Sequence, residues 1–234
     1  MRLLHLSWPH LALRLARERP PGNLPGGPLI LGGQPWDDGV VLDANQAARD
    51  LGVRRGIPLG QAHRLAPEAT FVPPDPGADA MAVEAALDAL AAFSPGIAGP
   101  LDAADPAFGT LEVQIDGLEP LWGPEPALLA KVRAALAPLL PGMPRAGIAG
   151  TRFAAALAAA TGPGPAAVPC VCVPPGGDAS FLAPFPSAAL SRDPDVRARL
   201  ARFGLATIGE VRALPRSALV ARFGADAGAR LGKC

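Results

Sequence analysis

The chain has 234 residues, of which half are hydrophobic and 18% charged, with a formal net charge of zero. That length supports a sizeable core in one large domain or in two to three small ones. No apolar run approaches the ~18–20 residues of a membrane-spanning helix, and three cysteines make no disulfide framework, so a reduced, cytoplasmic protein away from membranes is expected. Met1-Arg2-Leu3-Leu4-His5-Leu6 does not read as a secretory leader.

The 29 Pro and 27 Gly cluster at residues 20–28, 73–77, 138–144, 162–176 and 184–194, which mark loops or linkers. Charge is uneven. Residues 1–191 carry 12 basic against 17 acidic side chains, a net −5, and residues 192–234 carry 9 against 4, a net +5. A basic C-terminal module on an acidic body places any nucleic-acid contact at the C-terminus; the alternative is a solvated helical face.

In chain order, Leu3 to Trp8 reads as a short buried strand ended by Pro9, and residues 10–19 as a helix. Leu29-Ile30-Leu31 and Val40 to Asp43 read as strands around a Gly32-Gly33 turn. A helix is expected from about Ala44 to Leu51 with Gly52 in the left-handed C-terminal position, and another from Pro58 to about Leu65. Thr70-Phe71-Val72 is a strand. Residues 79–93 predict an amphipathic helix with Met81, Ala85, Leu87, Leu90 and Phe93 as its apolar stripe. Thr110 to Ile115 alternates with period two, which predicts a half-buried strand ended by Gly117. A helix over Ala127–Leu139, a strand over Arg145–Ala149, a helix over Thr151–Ala160 and a short strand over Val168–Val173 follow. Residues 194–231 read as helical, with breaks at Gly204–Gly209 and Phe223-Gly224. The sum is an α+β body with a helical C-terminal module.

The run Asp43-Ala44-Asn45-Gln46-Ala47-Ala48-Arg49, continued by Leu51-Gly52-Val53-Arg54-Arg55-Gly56-Ile57-Pro58-Leu59, resembles the fingers of Y-family DNA polymerases. Phe93-Ser94-Pro95, Leu111 to Leu118, Leu121-Trp122-Gly123 and Gly147 to Ala154 resemble the palm, in order. Leu200 to Phe223 resembles the thumb with its helix-hairpin-helix. Trp8-Pro9-His10-Leu11 is similar to the opening of the ImuB-type branch, whose members are catalytically inactive. The resemblance implies a palm of about residues 1–12 and 77–162, fingers of 13–76 and a thumb of 163–234. The little finger would follow residue 234.

The departures from the family pattern set the functional expectation. Nucleotidyl transfer uses two divalent ions, and such hard cations need clustered carboxylates. The resemblance puts Ser7, Ala107 and Phe108 at the positions of those carboxylates, so the catalytic positions are lost and neither metal nor cofactor is expected. Asp102 and Asp105 stand alone in a proline-containing loop, while Glu112 and Asp116 are expected on one face of a strand. Asn45, Gln46, Arg49 and Arg152 are what remains of the nucleotide pocket, with Gln46 in place of the family's Tyr.

Arg202, Gly204, Thr207, Gly209 and Arg212 are expected to bind the DNA backbone, with free backbone N–H groups at the start of the second hairpin helix holding a phosphate. The alternative is a packing hairpin. His5, His10 and His63 show no metal spacing, Cys170 and Cys172 lack a second ligand pair, and Trp36-Asp37-Asp38-Gly39 reads as a solvated turn. Asp43 reads as a strand-end residue. The implied function is an inactive, DNA-binding adaptor in translesion synthesis. Its implied partners are DNA, held weakly by the thumb, an error-prone C-family polymerase, and a sliding clamp reached through segments outside this chain. The competing readings are an active polymerase using displaced carboxylates and a scaffold that does not touch DNA.

Overall fold

The alternating residues around Leu4 and Leu111 become the centre of a sheet in the computed structural model, which describes residues 1–19, 24–162 and 170–224. The strands are β1 (Leu3–Ser7), β2 (Leu29–Leu31), β3 (Asp43–Ala44), β4 (Thr70–Val72), β5 (Ile97–Ala98), β6 (Thr110–Gln114), β7 (Arg145–Ala149) and β8 (Cys170–Cys172). The body's helices are α1 (Leu11–Glu18), α2 (Gln46–Asp50), α3 (Leu59–Leu65), α4 (Pro76–Ala91), α5 (Glu119–Trp122), α6 (Glu125–Leu136) and α7 (Arg152–Thr161). The C-terminal module holds α8 (Asp178–Leu182), a 3₁₀ turn at Ser187–Leu190, α9 (Pro194–Arg202), α10 (Ile208–Arg212) and α11 (Arg216–Phe223). The architecture is α+β.

One sheet has the order β5-β6-β1-β7-β8. β1 is antiparallel to both β6 and β7, and β7 is parallel to β8. The register puts Ser7 between Thr110 and Arg145, His5 between Glu112 and Gly147, and Leu3 between Gln114 and Ala149. Side chains alternate across a strand, so these rows share a face. The other face presents Leu4, Leu6, Leu111, Val113, Ala146 and Ile148 to Val83, Ala86 and Leu90 of α4 and to Leu128, Val132 and Leu136 of α6. Each such leucine contributes about 1.5–3 kcal/mol by leaving water, which makes this layer the main core.

Helix α7 covers the Leu3 end of the polar face through Ala154, Ala155 and Ala158. It approaches so closely that a Cβ on Gly147 would collide with the Ala155 carbonyl and the Ala159 nitrogen. The Ser7 end of the same face lines a cavity instead.

The second sheet has the order β3-β2-β4, and all three residues of β2 are buried. α2 and α3 pack around Ile30, and α1 packs on Leu29 and Leu31 through Ala12, Leu13 and Ala16. α1 also sends Leu11 and Leu15 into the main core, so this helix ties the two sheets together.

Several expected boundaries move. Of Val40–Asp43, only Asp43 joins a strand, because Val41 donates to the Ile57 carbonyl and accepts from the Gly56 N–H instead. The stripe on α4 is displaced: Met81 is 70% exposed, and Asp79, Val83, Ala86 and Leu90 are buried. Asp79 turns inward because Arg19 of the first helix's C-terminus pairs with it. α6 begins at Glu125 and ends at Leu136, and Thr151 caps α7 rather than starting it. The C-terminal helices break also at Ala213–Pro215. The expected strand residues 168 and 169 and the helix over 225–231 lie outside the described residues.

Candidate functional site

A cavity of about 460 Å³ opens where β1 runs into α1, lined on one side by Ser7, Phe108 and Thr110. Gly109 sets this wall. Its φ of +85° is left-handed, its carbonyl accepts the Trp8 N–H at 2.7 Å, and a Cβ there would strike the Trp8 carbonyl. Phe108 is thereby held beside the end of β1, half-buried against both cores. Ala107 stands one residue back, its carbonyl accepting from the Thr110 N–H and hydroxyl at 3.0 and 2.7 Å.

The opposite wall is cationic, with Arg49, Arg54 and Arg55 lining it. Arg49 donates to the Ala44 carbonyl, to Gln46 Oε1 at 3.0 Å and to the His10 ring. Arg54 donates to the Arg49 and Val53 carbonyls, and Arg55 to those of Ala103 and Ala104. Carbonyls anchor these guanidiniums without neutralising them. Among the described residues none of the three pairs with a carboxylate.

His10 stands between the walls. Its Nδ1 lies 2.7 Å from Asp43 Oδ1 and its Nε2 2.9 Å from Arg49 Nη1. With Nδ1–H donating to Asp43, Nε2 is left to accept from Arg49. Asp43 Oδ1 also accepts the Ala44 N–H at 2.8 Å. One engaged carboxylate faces three guanidiniums, so the cavity attracts anions such as phosphates.

The sequence-derived pocket residues only partly converge here. Arg49 lines the cavity. Asn45 caps α2, its side chain accepting the Ala48 and Leu29 N–H groups and donating to the Gly27 carbonyl. Gln46 bonds Asp50 and Arg49. Arg152 lies on the open sheet face, 2.8 Å from Glu112. The sequence does not single out His10, Asp43, Arg54 or Arg55 as pocket residues, because their convergence depends on tertiary packing.

The displaced carboxylates do not gather. Asp102 and Asp105 accept the Ala104 and Ala107 N–H groups within their own turns. Glu112 holds Arg152 and lies 3.8 Å from buried His5. Asp116 lies past the end of β6, where the Gln114 amide donates to it at 3.3 Å while Ile115 points into the core on the other face. Asp116 meets the N-terminal amine, and the Arg2 backbone N–H helps hold its carboxyl below the usual range. Among the described residues no three His, Cys, Asp or Glu side chains group as metal ligands. The Mg²⁺ pair that the polymerase fold implies therefore has no fitting donor set in the described residues.

The C-terminal module departs from expectation in one respect. Gly204 turns the chain with φ +69°. The N–H groups at the start of α10 are all taken: Ala206 and Thr207 donate to Glu210 Oε2, Ile208 to the Phe185 carbonyl, Gly209 to the Ala183 carbonyl and Glu210 to Thr207 Oγ1. No free donor is left there for a phosphate. Gly209 serves packing, since a Cβ would press on Ala183. The exposed cations among the described residues of this module are Arg192, Arg197, Arg199 and Arg202, together with Arg212, Arg216 and Arg222, the last with its guanidinium over Phe203.

A sheet backed by α4 and α6, a cavity at the end of its central strand and a helical hairpin module define a Y-family polymerase-like protein. The chain belongs to the impB/mucB/samB family, which matches residues 11–160. It is 38% identical over 182 residues to Protein ImuB of Caulobacter vibrioides, covering 77% of this chain and 37% of that protein. It is 32% identical over 202 residues to DNA polymerase IV of Dehalococcoides mccartyi, covering 86% of this chain and 49% of that protein. The chain thus spans less than half the length of either relative. DinB from Sulfolobus solfataricus shares the fold at TM-score 0.77 and 18% identity, over all of this chain and 66% of that one. The insertion ternary complex of Dbh DNA polymerase matches equally, at TM-score 0.77 and 18% identity over 100% and 66% of the two chains. No helix among the described residues is long and apolar enough to cross a membrane.

Proposed function

We propose that this chain is the palm, fingers and thumb of a catalytically inactive Y-family homologue, a DNA-binding adaptor in translesion synthesis and damage-induced mutagenesis. The palm comprises about residues 1–12 and 77–162, the fingers 13–76 and the thumb 163–234. The observation that carries this reading is the make-up of the cavity. Ser7 and Phe108 line the end of β1, and Asp43, the carboxylate on the wall, is already held by His10. In-line nucleotidyl transfer needs two metal ions to stabilise the attacking and leaving oxygens. A hydroxyl and a phenyl ring supply no anionic ligand for them. The cationic wall supports binding of a nucleotide or DNA phosphate without turnover.

The 38% identity to Protein ImuB supports the adaptor role. DNA, an error-prone C-family polymerase and a sliding clamp are the proposed partners, the last through segments beyond this chain. Identity to DNA polymerase IV supports the competing reading of an active enzyme. Against it, Asp102, Asp105 and Glu112 are each engaged elsewhere. The test is primer extension with primer-template, four dNTPs and Mg²⁺ or Mn²⁺. No extension is expected. Template-dependent extension that disappears in Asp105→Ala would establish the enzyme instead.

A further inference from the structure

A second cavity, of about 560 Å³, lies between α6 and β8, away from Ser7. Leu129, Ala134, Met143 and Cys170 line it, and Arg133 lies in its wall. Arg133 occupies the inward stripe of α6, with buried Leu129, Val132 and Leu136, where an apolar residue would pack without cost. It is 8% exposed, its Nη2 donates to the Pro144 carbonyl at 3.2 Å, and its Nε has no hydrogen-bond partner. Among the described residues it has no carboxylate partner. Glu125, on the same helix, is committed to Arg2 through two bonds of 2.5 and 2.8 Å. A buried cation is normally paired, because desolvation of an unpaired charge costs several kcal/mol. An anion carried on an apolar body would complement both Arg133 and the apolar lining.

The strand beside the cavity indicates what kind of body. β8 is the outer strand of its sheet, so its far edge has no strand partner among the described residues. Cys170 and Cys172 point to the cavity side, with their sulfurs 3.5 Å apart. An extended peptide added along such an edge would direct every second side chain into the cavity.

We propose that the α6–β8 groove of this chain binds an extended segment of a partner protein in which a Glu or Asp side chain, flanked by apolar residues at alternate positions, pairs with Arg133. The site goes beyond the proposed adaptor reading by giving one partner-binding surface a place and a chemistry. It does not depend on the loss of catalysis.

The test uses the 234-residue chain and a fluorescein-labelled, N-acetylated peptide, Leu-Thr-Glu-Thr-Leu, followed by anisotropy, with Leu-Thr-Gln-Thr-Leu as control. The Glu peptide should bind at least about tenfold more tightly than the Gln peptide, as a charge-assisted contact in a dry site requires. Arg133→Met should erase that difference. Ala134→Trp, on the exposed rim of the groove, should abolish binding of the Glu peptide by filling the space, and it keeps the test decisive if the Arg133 variant fails to fold. Primer-template binding by both folded variants should be unchanged, which separates this site from the DNA-binding reading. No binding of the Glu peptide, or equal binding of both peptides, would overturn the proposal. So would concentration-dependent dimerisation of the chain that Arg133→Met removes, which would make a second copy the occupant.

Discussion

His10 places its Nδ1 2.7 Å from Asp43 Oδ1, and it does so from a left-handed backbone with φ 61°, alone among the described non-glycine residues. The contact spans the seam between the two sheets, since His10 follows β1 and Asp43 begins β3. A left-handed L-residue costs roughly 1–2 kcal/mol, so the ring's bonds to Asp43 and Arg49 offset a local strain. His10→Ala loses the bonds and keeps the strain. His10→Gly loses the bonds and relieves it. The urea midpoints should fall in the order wild type, Gly, Ala, with about 1 kcal/mol between the last two. An Ala variant at least as stable as the Gly variant would refute the account.

Burial of His5 sets the sign of one pH dependence of folding. Burial holds its pKa below 6.5 in the folded protein, only partly opposed by Glu112. Below pH 6.5 the unfolded chain takes up a proton that the folded chain refuses, so acidification favours unfolding until the folded pKa is passed. Stability should therefore drop from pH 7 toward pH 5. The slope owed to His5 is at most about 1.4 kcal/mol per pH unit. His5→Leu should flatten the profile by that share. Parallel urea-midpoint profiles for wild type and His5→Leu over this range would show that His5 contributes nothing.

Much of the frame was legible in the sequence because its signals are local. The alternating residues of Thr110–Gln114 and the apolar run of Leu3–Ser7 pair side by side in the sheet. The capping residues Asn45 and Thr151 begin helices near the positions expected for them. What was misread depends on distant partners. Asp79 is buried because Arg19, 60 residues earlier, reaches it. Met81, by its hydrophobicity a core residue, faces water instead. The pairing of His10 with Asp43 joins residues 33 apart, and nothing in either segment announces it. The N–H groups of α10 look free in the sequence, yet the Ala183 and Phe185 carbonyls arrive from an earlier turn to accept two of them.

Gly147 tests how tightly α7 is seated on the sheet. A methyl group here meets helix backbone rather than a flexible side chain, so the helix itself must move. Gly147→Ala should cost about 1–3 kcal/mol, the range for overpacking a well-filled core. Gly117→Ala meets nothing within 4 Å but sits at φ +70°, so it reports backbone strain alone. Thermal melts of the two variants separate the causes. A Gly147→Ala protein that loses less than the Gly117→Ala protein would mean that α7 yields readily and that the close approach is not a constraint.

DNA binding by the C-terminal module should come from its exposed arginines and not from the start of α10. Thr207 and Glu210 form a reciprocal cap there, so a phosphate would have to displace bonds already made. Arg199 and Arg202 extend into solvent from the last turn of α9. Each phosphate that a guanidinium neutralises contributes about 0.9 to the log–log salt slope on duplex DNA. Replacing both arginines by Gln should weaken binding and reduce that slope by up to about 1.8. Thr207→Ala should cost about 1 kcal/mol of stability through the lost cap and leave the slope unchanged wherever the protein is folded. Anisotropy across a salt series, on samples checked for folding at the measurement temperature, reads both quantities. If Thr207→Ala lowers the slope while the double arginine variant keeps it, the phosphate is held at the start of α10 after all, and the cap must open to admit it.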